Sequence, residues 1–222
     1  MAHATNYIAW QRRLVAPWLG SRVIEVGCGI GNFTAALLDR ETVIAVDVDA
    51  ACVARLRERY PGRPNLRLCV CEPDSAAFTD LASLHPDSCV CLNVLEHIAH
   101  DRRALAAMAS VLIPGGTIVL LAPAFQALYG PIDRNLGHHR RYSRESLRAL
   151  AHVTGLEVRT LHYVNAIGFF GWWINAHVLR REGQSTAQIR MFDRCVVPWL
   201  SRLEAIRPPA FGQSLFAVLR KP

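Results

Sequence analysis

The chain has 222 residues, of which 51% are hydrophobic and only 19% are charged. This composition excludes intrinsic disorder and supplies enough apolar surface for one sizeable core. No stretch reaches the ~18 uninterrupted apolar residues of a membrane span, and the first residues lack the basic-then-apolar pattern of a signal peptide. Seven cysteines occur without a C-x-x-C pair, a pattern that favours small buried hydrophobic residues in a reducing compartment. The sequence therefore predicts a single soluble, cytoplasmic domain.

The formal net charge of +7 is unevenly distributed along the chain. Residues 1–123 carry 11 Arg and 12 acidic residues, whereas residues 124–222 carry 13 Arg, one Lys and 6 acidic residues, so their net charges are −1 and +8. A solvated basic face accounts for this asymmetry. A surface for an anionic partner, such as a phosphorylated substrate, a lipid headgroup layer or nucleic acid, accounts for it equally well.

Short apolar runs rich in β-forming residues alternate with stretches of helical periodicity. Continuous apolar strands separated by helices predict an α/β fold with a parallel sheet covered on both faces. In such sheets ligands bind outside the carboxyl ends of the strands, so the residues that follow each strand are the candidates for function. Strands are predicted over Arg22–Val26, Thr42–Val46, Leu66–Val70, Ser88–Leu92, Thr117–Ala122 and Ser214–Arg220, and helices over Asn32–Asp39, Ala50–Tyr60, Arg102–Val111 and Arg144–Ala151.

A glycine-rich turn follows the first predicted strand and has the sequence Glu25-Val26-Gly27-Cys28-Gly29-Ile30-Gly31-Asn32. Without Cβ atoms, glycines let the backbone turn sharply and approach a ligand. A helix after the turn would direct its free amide groups to the same place. The pattern is G-x-G-x-G and not the G-x-G-x-x-G of dinucleotide binders, which argues against a nicotinamide oxidoreductase.

Acidic and polar residues follow the next three strands. Asp47 ends the second strand about twenty residues beyond the glycines, where a carboxylate can accept hydrogen bonds from both ribose hydroxyls. Asp49 is better placed than Asp47 to cap the next helix, which leaves Asp47 for a ligand. The third strand is followed by Glu72-Pro73-Asp74 and the fourth by Asn93-Val94-Leu95-Glu96-His97.

Together with the later Pro114-Gly115-Gly116 turn, these motifs resemble a class I S-adenosylmethionine-dependent methyltransferase over about residues 20–163. The resemblance implies a Rossmann-like fold with a mostly parallel seven-stranded sheet, S-adenosylmethionine as cofactor and S-adenosylhomocysteine as product. It also implies that Asp47 holds the ribose, that Val48 packs on the adenine, and that Glu72 or Asp74 reaches the adenine amino group. The cofactor-binding residues implied in this way are Glu25, Gly27, Cys28, Gly29, Asn32, Asp47, Val48, Glu72, Pro73, Asn93 and Leu95.

The sequence of the loop after the fourth strand disfavours two classes of methyl acceptor. It lacks the Asn/Asp-Pro-Pro-aromatic motif that positions a planar amino group, and it lacks the Pro-Cys of pyrimidine-carbon methylation. A small or lipid-linked acceptor remains, with oxygen as the expected methylated atom. The enzyme would align the nucleophile and supply a base where one is needed. An RNA 2′-hydroxyl methyltransferase and a non-catalytic S-adenosylmethionine-binding protein are the alternatives.

The loop after the fifth strand, residues 128–143, is rich in basic and aromatic residues and resembles a subgroup of bacterial methyltransferases with G-H-x-R-R-Y here. It predicts His138 or His139 as a general base, because histidine titrates near neutral pH. Solvated loop residues are the alternative for one of the histidines and for the two central arginines. The predicted acceptor-binding residues are Tyr129, Arg140, Arg141 and Tyr142.

Besides a cofactor site and a general base, the residues at this edge of the sheet allow a metal site. Glu96-His97 followed by His138 or His139 is similar to the E-x-x-E-H…H arrangement of metal-assisted O-methyltransferases. Asn93 stands where the first Glu would be, and the loss of one carboxylate weakens a site for a hard cation. The sequence therefore predicts no metal.

Outside the core, residues 21–163, the chain is predicted to add a cap helix over the cofactor pocket in residues 1–20 and an insertion in residues 164–213. The apolar run Ala166–Leu179, followed by Arg180-Arg181, fits a substrate lid, a dimer face, an interfacial helix or a core helix. Arg140, Arg141, Trp172 and Trp173 lie in the same basic half. We expect an anionic or lipid-linked acceptor, peripheral contact with an anionic membrane, and a monomer or homodimer, with nucleic acid disfavoured.

Overall fold

The computed structural model describes residues 4–179, 183 and 185–222. These residues form a seven-stranded sheet in the order β3-β2-β1-β4-β5-β7-β6. The five strands β1 to β5 pair in parallel, and β7 runs antiparallel to both of its neighbours. The strands are β1 Arg22–Val26, β2 Thr42–Asp47, β3 Leu66–Val70, β4 Ser88–Leu92, β5 Thr117–Pro123, β6 Glu157–Val164 and β7 Ser214–Arg220.

The predicted fold class is confirmed, and six of the seven strands begin and end within one residue of the predicted apolar runs. Strand β6, whose first half is mostly exposed, is not among the predicted strands. The helix predicted over Asn32–Asp39 is wrong. This segment is turns with one 3₁₀ turn at Thr34–Ala36. Gly31 has a positive φ of 81°, so the glycine turn extends to this residue. Beyond it, the Thr34 hydroxyl donates a hydrogen bond to Glu25.

Helices cover both faces of the sheet. Ser143 caps the helix Arg144–Val153 (α6), since its hydroxyl accepts a hydrogen bond from the Ser146 amide. Two π-helical turns, Ile174–Val178 and Phe192–Val196, interrupt the C-terminal helices. The α-helices of the described residues are α1 Thr5–Val15, α2 Ala50–Arg59, α3 Ala76–Thr79, α4 Asp101–Val111, α5 Pro131–Asn135, α6 Arg144–Val153, α7 Ala166–Trp173, α8 Thr186–Met191 and α9 Val197–Ile206.

Two apolar layers, one on each face of the sheet, form the core. On one face the sheet packs against Phe78, Leu105 and Met108, and on the other against Trp10 and Phe33. This double coverage is what continuous apolar parallel strands require. None of the described helices is long and apolar enough to cross a membrane.

The described residues between β6 and β7 are mainly helical. They form hydrogen bonds with helix α1 near the start of the chain and with the residues that follow β6. The buried Asp193 carboxylate accepts hydrogen bonds from the backbone amides of Asn6 and Tyr7. Glu204 on α9 accepts from the amides of Asn165 and Ala166, at the start of α7. Helix α1 is thereby fixed beside the carboxyl ends of the strands. Arg180 and Arg181 lie outside the described residues.

Candidate active site

The glycine turn after β1 is held by backbone hydrogen bonds to the neighbouring strand. The amides of Gly27 and Cys28 both donate to the Val46 carbonyl, over 2.8 and 3.0 Å. Gly27 has a φ of 76°, and a Cβ atom at this position would collide with the Val94 side chain. A residue with a side chain would therefore be both strained and obstructed here, which explains the glycine.

Asp47 at the end of β2 supports the same turn. Its carboxylate accepts a hydrogen bond from the Gly29 amide, over 2.7 Å, and one from the Asp49 amide, over 3.0 Å. Asp49 accepts from the Ala51 amide and caps α2, as the sequence predicts. Each carboxylate oxygen of Asp47 has a second lone pair, so it can also accept a hydroxyl hydrogen from a ligand.

A cavity of about 220 Å³ lies between this turn and α1. Helix α1 contributes Tyr7, Ile8 and Gln11, which the sequence reasoning did not assign to the site. Gln11 is only 6% exposed, and a polar residue on the buried face of an amphipathic helix is the signal that could have pointed to it. Of the predicted cofactor residues, the cavity is lined by Glu25, Gly27, Cys28, Gly29, Asn32 and Asn93.

The other predicted cofactor residues are not among those that line this cavity. Val48 is 62% exposed, and Glu72 is also exposed, next to the buried Pro73. Leu95 is 1% exposed and packs in the core. Its assignment to the cofactor site stays a prediction.

Glu25 is a buried carboxyl in the wall of the cavity. The Thr34 hydroxyl donates to it over 2.6 Å. Burial, which penalises the charged form, raises the pKa of Glu25 to about 8 despite this hydrogen bond, with the nearby Asp47 charge acting in the same direction. Glu25 is thus a group whose charge depends on what occupies the cavity.

A second group of polar residues lies in the loop after β5. His138 Nδ1 donates a hydrogen bond to the buried Asp133 carboxylate over 2.8 Å. Asp133 also accepts from the Gly130 amide and from Arg141 Nε, over 3.0 and 2.9 Å. Burial opposes ionisation, but the His138 hydrogen bond and the Arg141 charge hold the pKa of Asp133 below its ordinary value. This arrangement fixes the His138 ring and leaves Nε2 unprotonated in the neutral imidazole.

Glu96 and His97 lie on the other side of His138. Glu96 Oε1 is 4.0 Å from His138 Nε2, while its buried Oε2 has no hydrogen-bond partner among the described residues. Burial raises the pKa of Glu96 to about 8. The rings of His97 and His138 meet edge to face, 4.6 Å apart, and burial followed by the His138 and His139 charges lowers the pKa of His97.

Glu96, His97 and His138 each offer a potential metal ligand, and these three atoms lie within 4.8 Å of one another. Two imidazoles and one carboxylate form a donor set that divalent transition metals accept. The expectation that the enzyme uses no metal therefore stays a prediction, and it has an experimental test below.

His139 and Arg140 differ in their surroundings from His138. His139 is exposed, and only its backbone amide is used here, in a hydrogen bond to the Glu96 carbonyl. Arg140 pairs with Asp101 over 2.7 Å and donates to the Ala99 carbonyl. Of the two histidines, the structure therefore places His138 in the polar cluster.

Three of the predicted acceptor-binding residues support the loop. The buried Arg141 binds Asp133 and the Ala124 carbonyl, and its guanidinium lies 4.6 Å from the centre of the Trp172 ring. The hydroxyl of the buried Tyr142 donates to Asp101, and that of Tyr129 donates to the His138 carbonyl. The prediction that Arg141 and Tyr142 bind the acceptor is wrong, because their polar groups are buried and form hydrogen bonds within the protein.

Comparison with known proteins agrees with this architecture. Residues 4–161 match the family model described as "Methyltransferase domain". The chain belongs to this methyltransferase family. It is an S-adenosylmethionine-dependent methyltransferase.

Two sequence relatives and one solved structure are similar to this chain. The methyltransferase is 29% identical to a "Probable S-adenosylmethionine-dependent methyltransferase" of Mycolicibacterium smegmatis, over 87% of this chain and 73% of that protein. It is 34% identical to a "Ubiquinone biosynthesis O-methyltransferase" of Idiomarina loihiensis, over 57% of each. The N-methyltransferase NodS of Bradyrhizobium japonicum, solved with S-adenosylhomocysteine, shares the fold with a TM-score of 0.59 and 18% identity, over 96% of this chain and 84% of that one. The chain spans about half the length of several other curated relatives.

Proposed function

We propose that this methyltransferase acts in the cytoplasm and transfers a methyl group to an oxygen of an anionic acceptor, which is small or lipid-linked, with His138 as general base. The observation that carries the proposal is the hydrogen bond from His138 Nδ1 to the buried Asp133. It holds the proton on Nδ1 and leaves the lone pair of Nε2 for a proton from the acceptor, as in other histidine–carboxylate pairs of catalytic sites.

The chemistry follows from the residues on either side of the His138 ring. S-adenosylmethionine supplies an electrophilic methyl group on its sulfonium. The cofactor would give its methyl group to the acceptor oxygen with cleavage of the carbon–sulfur bond and would leave as S-adenosylhomocysteine, and His138 Nε2 would take the proton of the acceptor hydroxyl. The imidazolium formed is stabilised by the Asp133 charge at Nδ1, and Glu96, 4.0 Å from Nε2, can stabilise it further when ionised.

The choice of an oxygen and of an anionic acceptor rests on separate observations. A relative at 34% identity is named an O-methyltransferase of ubiquinone biosynthesis. Arg134, on α5 beside Asp133, is exposed and forms no salt bridge within the described part of the chain. Arg140 remains partly exposed next to Asp101. These two cations are the candidates for contact with an acceptor carboxylate or phosphate.

The acceptor class can be tested with S-adenosylmethionine labelled in the methyl group. The protein is incubated with a total lipid extract, with soluble carboxylic and phosphorylated metabolites, and with total RNA, and the label is followed into each fraction. Label in a lipid or an acidic metabolite, on oxygen by mass spectrometry, supports the proposal. Label in RNA, or on nitrogen or carbon of the product, contradicts it.

The adjacent histidines provide a matched test of the base. His138→Gln should lower kcat by about 10²–10⁴-fold, with S-adenosylmethionine affinity unchanged, and the lost rate should partly return at high pH as the acceptor hydroxyl ionises. His139→Gln should retain kcat within a factor of two or three. Equal losses in the two variants, or an unchanged kcat in His138→Gln, would exclude His138 as the base.

A further inference from the structure

The C-terminal helix, defined here as residues 186–206, is one continuous helical segment made of α8, a π-helical turn and α9. One face of it is buried against the rest of the protein. Asp193 binds the backbone of α1, and Val197 and Leu200 are 2% and 5% exposed. These contacts of the buried face determine the orientation of the helix. The residues on its other faces are therefore exposed to solvent or to a binding partner.

A second face of the C-terminal helix carries large apolar side chains that face solvent. Met191 is 63% exposed, Trp199 67%, Leu203 64% and Ile206 83%. The steps of eight, four and three residues keep these side chains on one side of a helix. Soluble monomers rarely leave such a row of large apolar residues in water, and its presence indicates a surface that binds something.

A row of arginines runs beside this apolar face. Arg190 and Arg202 immediately precede Met191 and Leu203 in the chain, and Arg194 continues the row one helical turn after Arg190. All three are exposed, and none forms a salt bridge with a carboxylate among the residues that the structure describes. Unpaired cations next to this apolar face indicate a partner that has both apolar and anionic groups.

The groove next to the helix adds a place for an anionic group. It has a volume of about 550 Å³, lies between α1 and α9, and is lined by Arg13 and Arg202 among other residues. The Arg13 guanidinium donates to the Ser201 hydroxyl, and that of Arg202 lies 5.7 Å from the centre of the Trp199 ring. One end of the apolar face thus borders directly on two positive charges.

We propose that the apolar face and arginine row of the C-terminal helix bind the surface of an anionic lipid bilayer. In this arrangement Met191, Trp199, Leu203 and Ile206 enter the boundary between headgroups and acyl chains, while the arginines contact the headgroup phosphates. Tryptophan suits this depth because its ring is amphipathic. The contact is peripheral, since the helix lies in the plane of the surface and does not span it.

A second copy of the chain is the main alternative occupant, and the charge pattern disfavours it. A twofold interface places the same patch on both subunits. The arginine rows of two copies would then approach each other, with no carboxylate among the described residues of this face to neutralise them. A bilayer with anionic headgroups supplies the missing negative charge together with an apolar layer.

This surface differs from the one that the sequence suggested. Trp172 is 7% exposed and is covered by Arg141, and Arg140 is paired with Asp101. These residues cannot together form a lipid-binding patch. The new inference does not depend on the proposed methyl transfer, because vesicle binding is measured without any acceptor.

Vesicle co-sedimentation tests the proposal directly. We expect the full chain to pellet with vesicles of phosphatidylcholine and phosphatidylglycerol in equal parts at low salt, and to remain in the supernatant with phosphatidylcholine alone. Each arginine at a charged surface adds about fivefold to the affinity at low salt. Binding by Arg190→Gln/Arg194→Gln/Arg202→Gln should therefore fall by about 100-fold, and that by Trp199→Ser/Leu203→Ser by at least tenfold.

The matched control is Arg57→Gln/Arg63→Gln/Arg67→Gln, which removes the same charge from exposed positions near the opposite, β3 edge of the sheet. It should lose less than threefold. Calorimetry with S-adenosylmethionine, unchanged in every variant, shows that each is folded. A wild type that stays in the supernatant with anionic vesicles, an equal loss in the control, or a dimer that buries Trp199 in place of vesicle binding would overturn the proposal.

Discussion

The two sides of the active site are built in different ways. On the predicted cofactor side, the backbone amides of Gly27, Cys28 and Gly29, which follow β1, donate to Val46 and Asp47 at the end of the adjacent parallel strand β2. On the acceptor side, a loop is held by buried side chains that bond to one another, with Asp133 between His138 and Arg141. The first arrangement follows from strand pairing, whereas the second depends on burial and on charge. We therefore expect the two sides to respond differently to substitution.

The largest effect is expected on the acceptor side, from Asp133→Ala. It leaves the buried Arg141 without its carboxylate, and loss of one partner of a buried ion pair costs about 3–5 kcal/mol of unfolding free energy. Urea denaturation measures this loss. Asp39→Ala, which removes the exposed partner of Arg12, is the control and should cost less than about 1 kcal/mol. A cost for Asp133→Ala as small as that of the control would contradict the role of the buried cluster.

The next effect concerns the cofactor side. Asp47→Ala should weaken S-adenosylmethionine binding by about 2–3 kcal/mol, because hydrogen bonds to a charged group contribute about 1.5–3 kcal/mol each and rarely add fully. Isothermal titration calorimetry measures this change. Asp49→Ala removes the cap of α2 at a cost of about 1 kcal/mol in stability, and it should leave the affinity unchanged. Unaltered affinity in Asp47→Ala, or tight NADH binding by the wild type, would disprove the assignment.

A smaller effect is expected from pH through Glu25. Its pKa is raised to about 8 in the folded protein, so folding favours the protonated form. Stability is then complete below the ordinary pKa of a glutamic acid and is lost as the pH rises toward the folded value. The titration of Glu25 should lower the unfolding free energy of the cofactor-free protein by about 2 kcal/mol from roughly pH 6.5 to pH 8. Glu96, whose pKa is also raised to about 8, should add to the fall in the same direction. Glu25→Gln should reduce this slope, and an unchanged slope would show that other groups cause it.

The smallest effect is expected from metal removal. In the arrangement that the sequence resembles, a carboxylate is expected at the position of Asn93, and its loss weakens a site for a hard cation. Dialysis against EDTA should therefore leave turnover unchanged within error. Elemental analysis of the protein before and after dialysis measures the metal content independently. A divalent ion retained by the wild type and lost in Glu96→Gln, together with lost turnover, would show that Glu96, His97 and His138 are sufficient to bind it.

The positions of six of the seven strands and of the glycine turn could be predicted because both depend on local patterns, whereas β6, with a mostly exposed first half, lacks a continuous apolar run. An apolar run of five or six residues between turns has few alternatives to a buried parallel strand, and Asp47 follows such a strand directly. The helix after Gly31 was predicted wrongly, since the hydrogen bond from Thr34 to Glu25 joins two elements and leaves no periodic signal.

By itself, the sequence determined the sheet, the glycine turn and the family, because these features rest on short-range patterns that recur in a fixed order. The tertiary structure decided which polar residues are buried. Arg141 looks like a solvated loop residue until Asp133, eight positions earlier, and Trp172, from a helix beyond β6, enclose it. Likewise, only the tertiary structure distinguishes the buried face of the C-terminal helix, which packs against α1, from its exposed apolar face and its arginine row. Burial depends on contacts between segments far apart in the chain, and the periodicity of one segment does not predict those contacts.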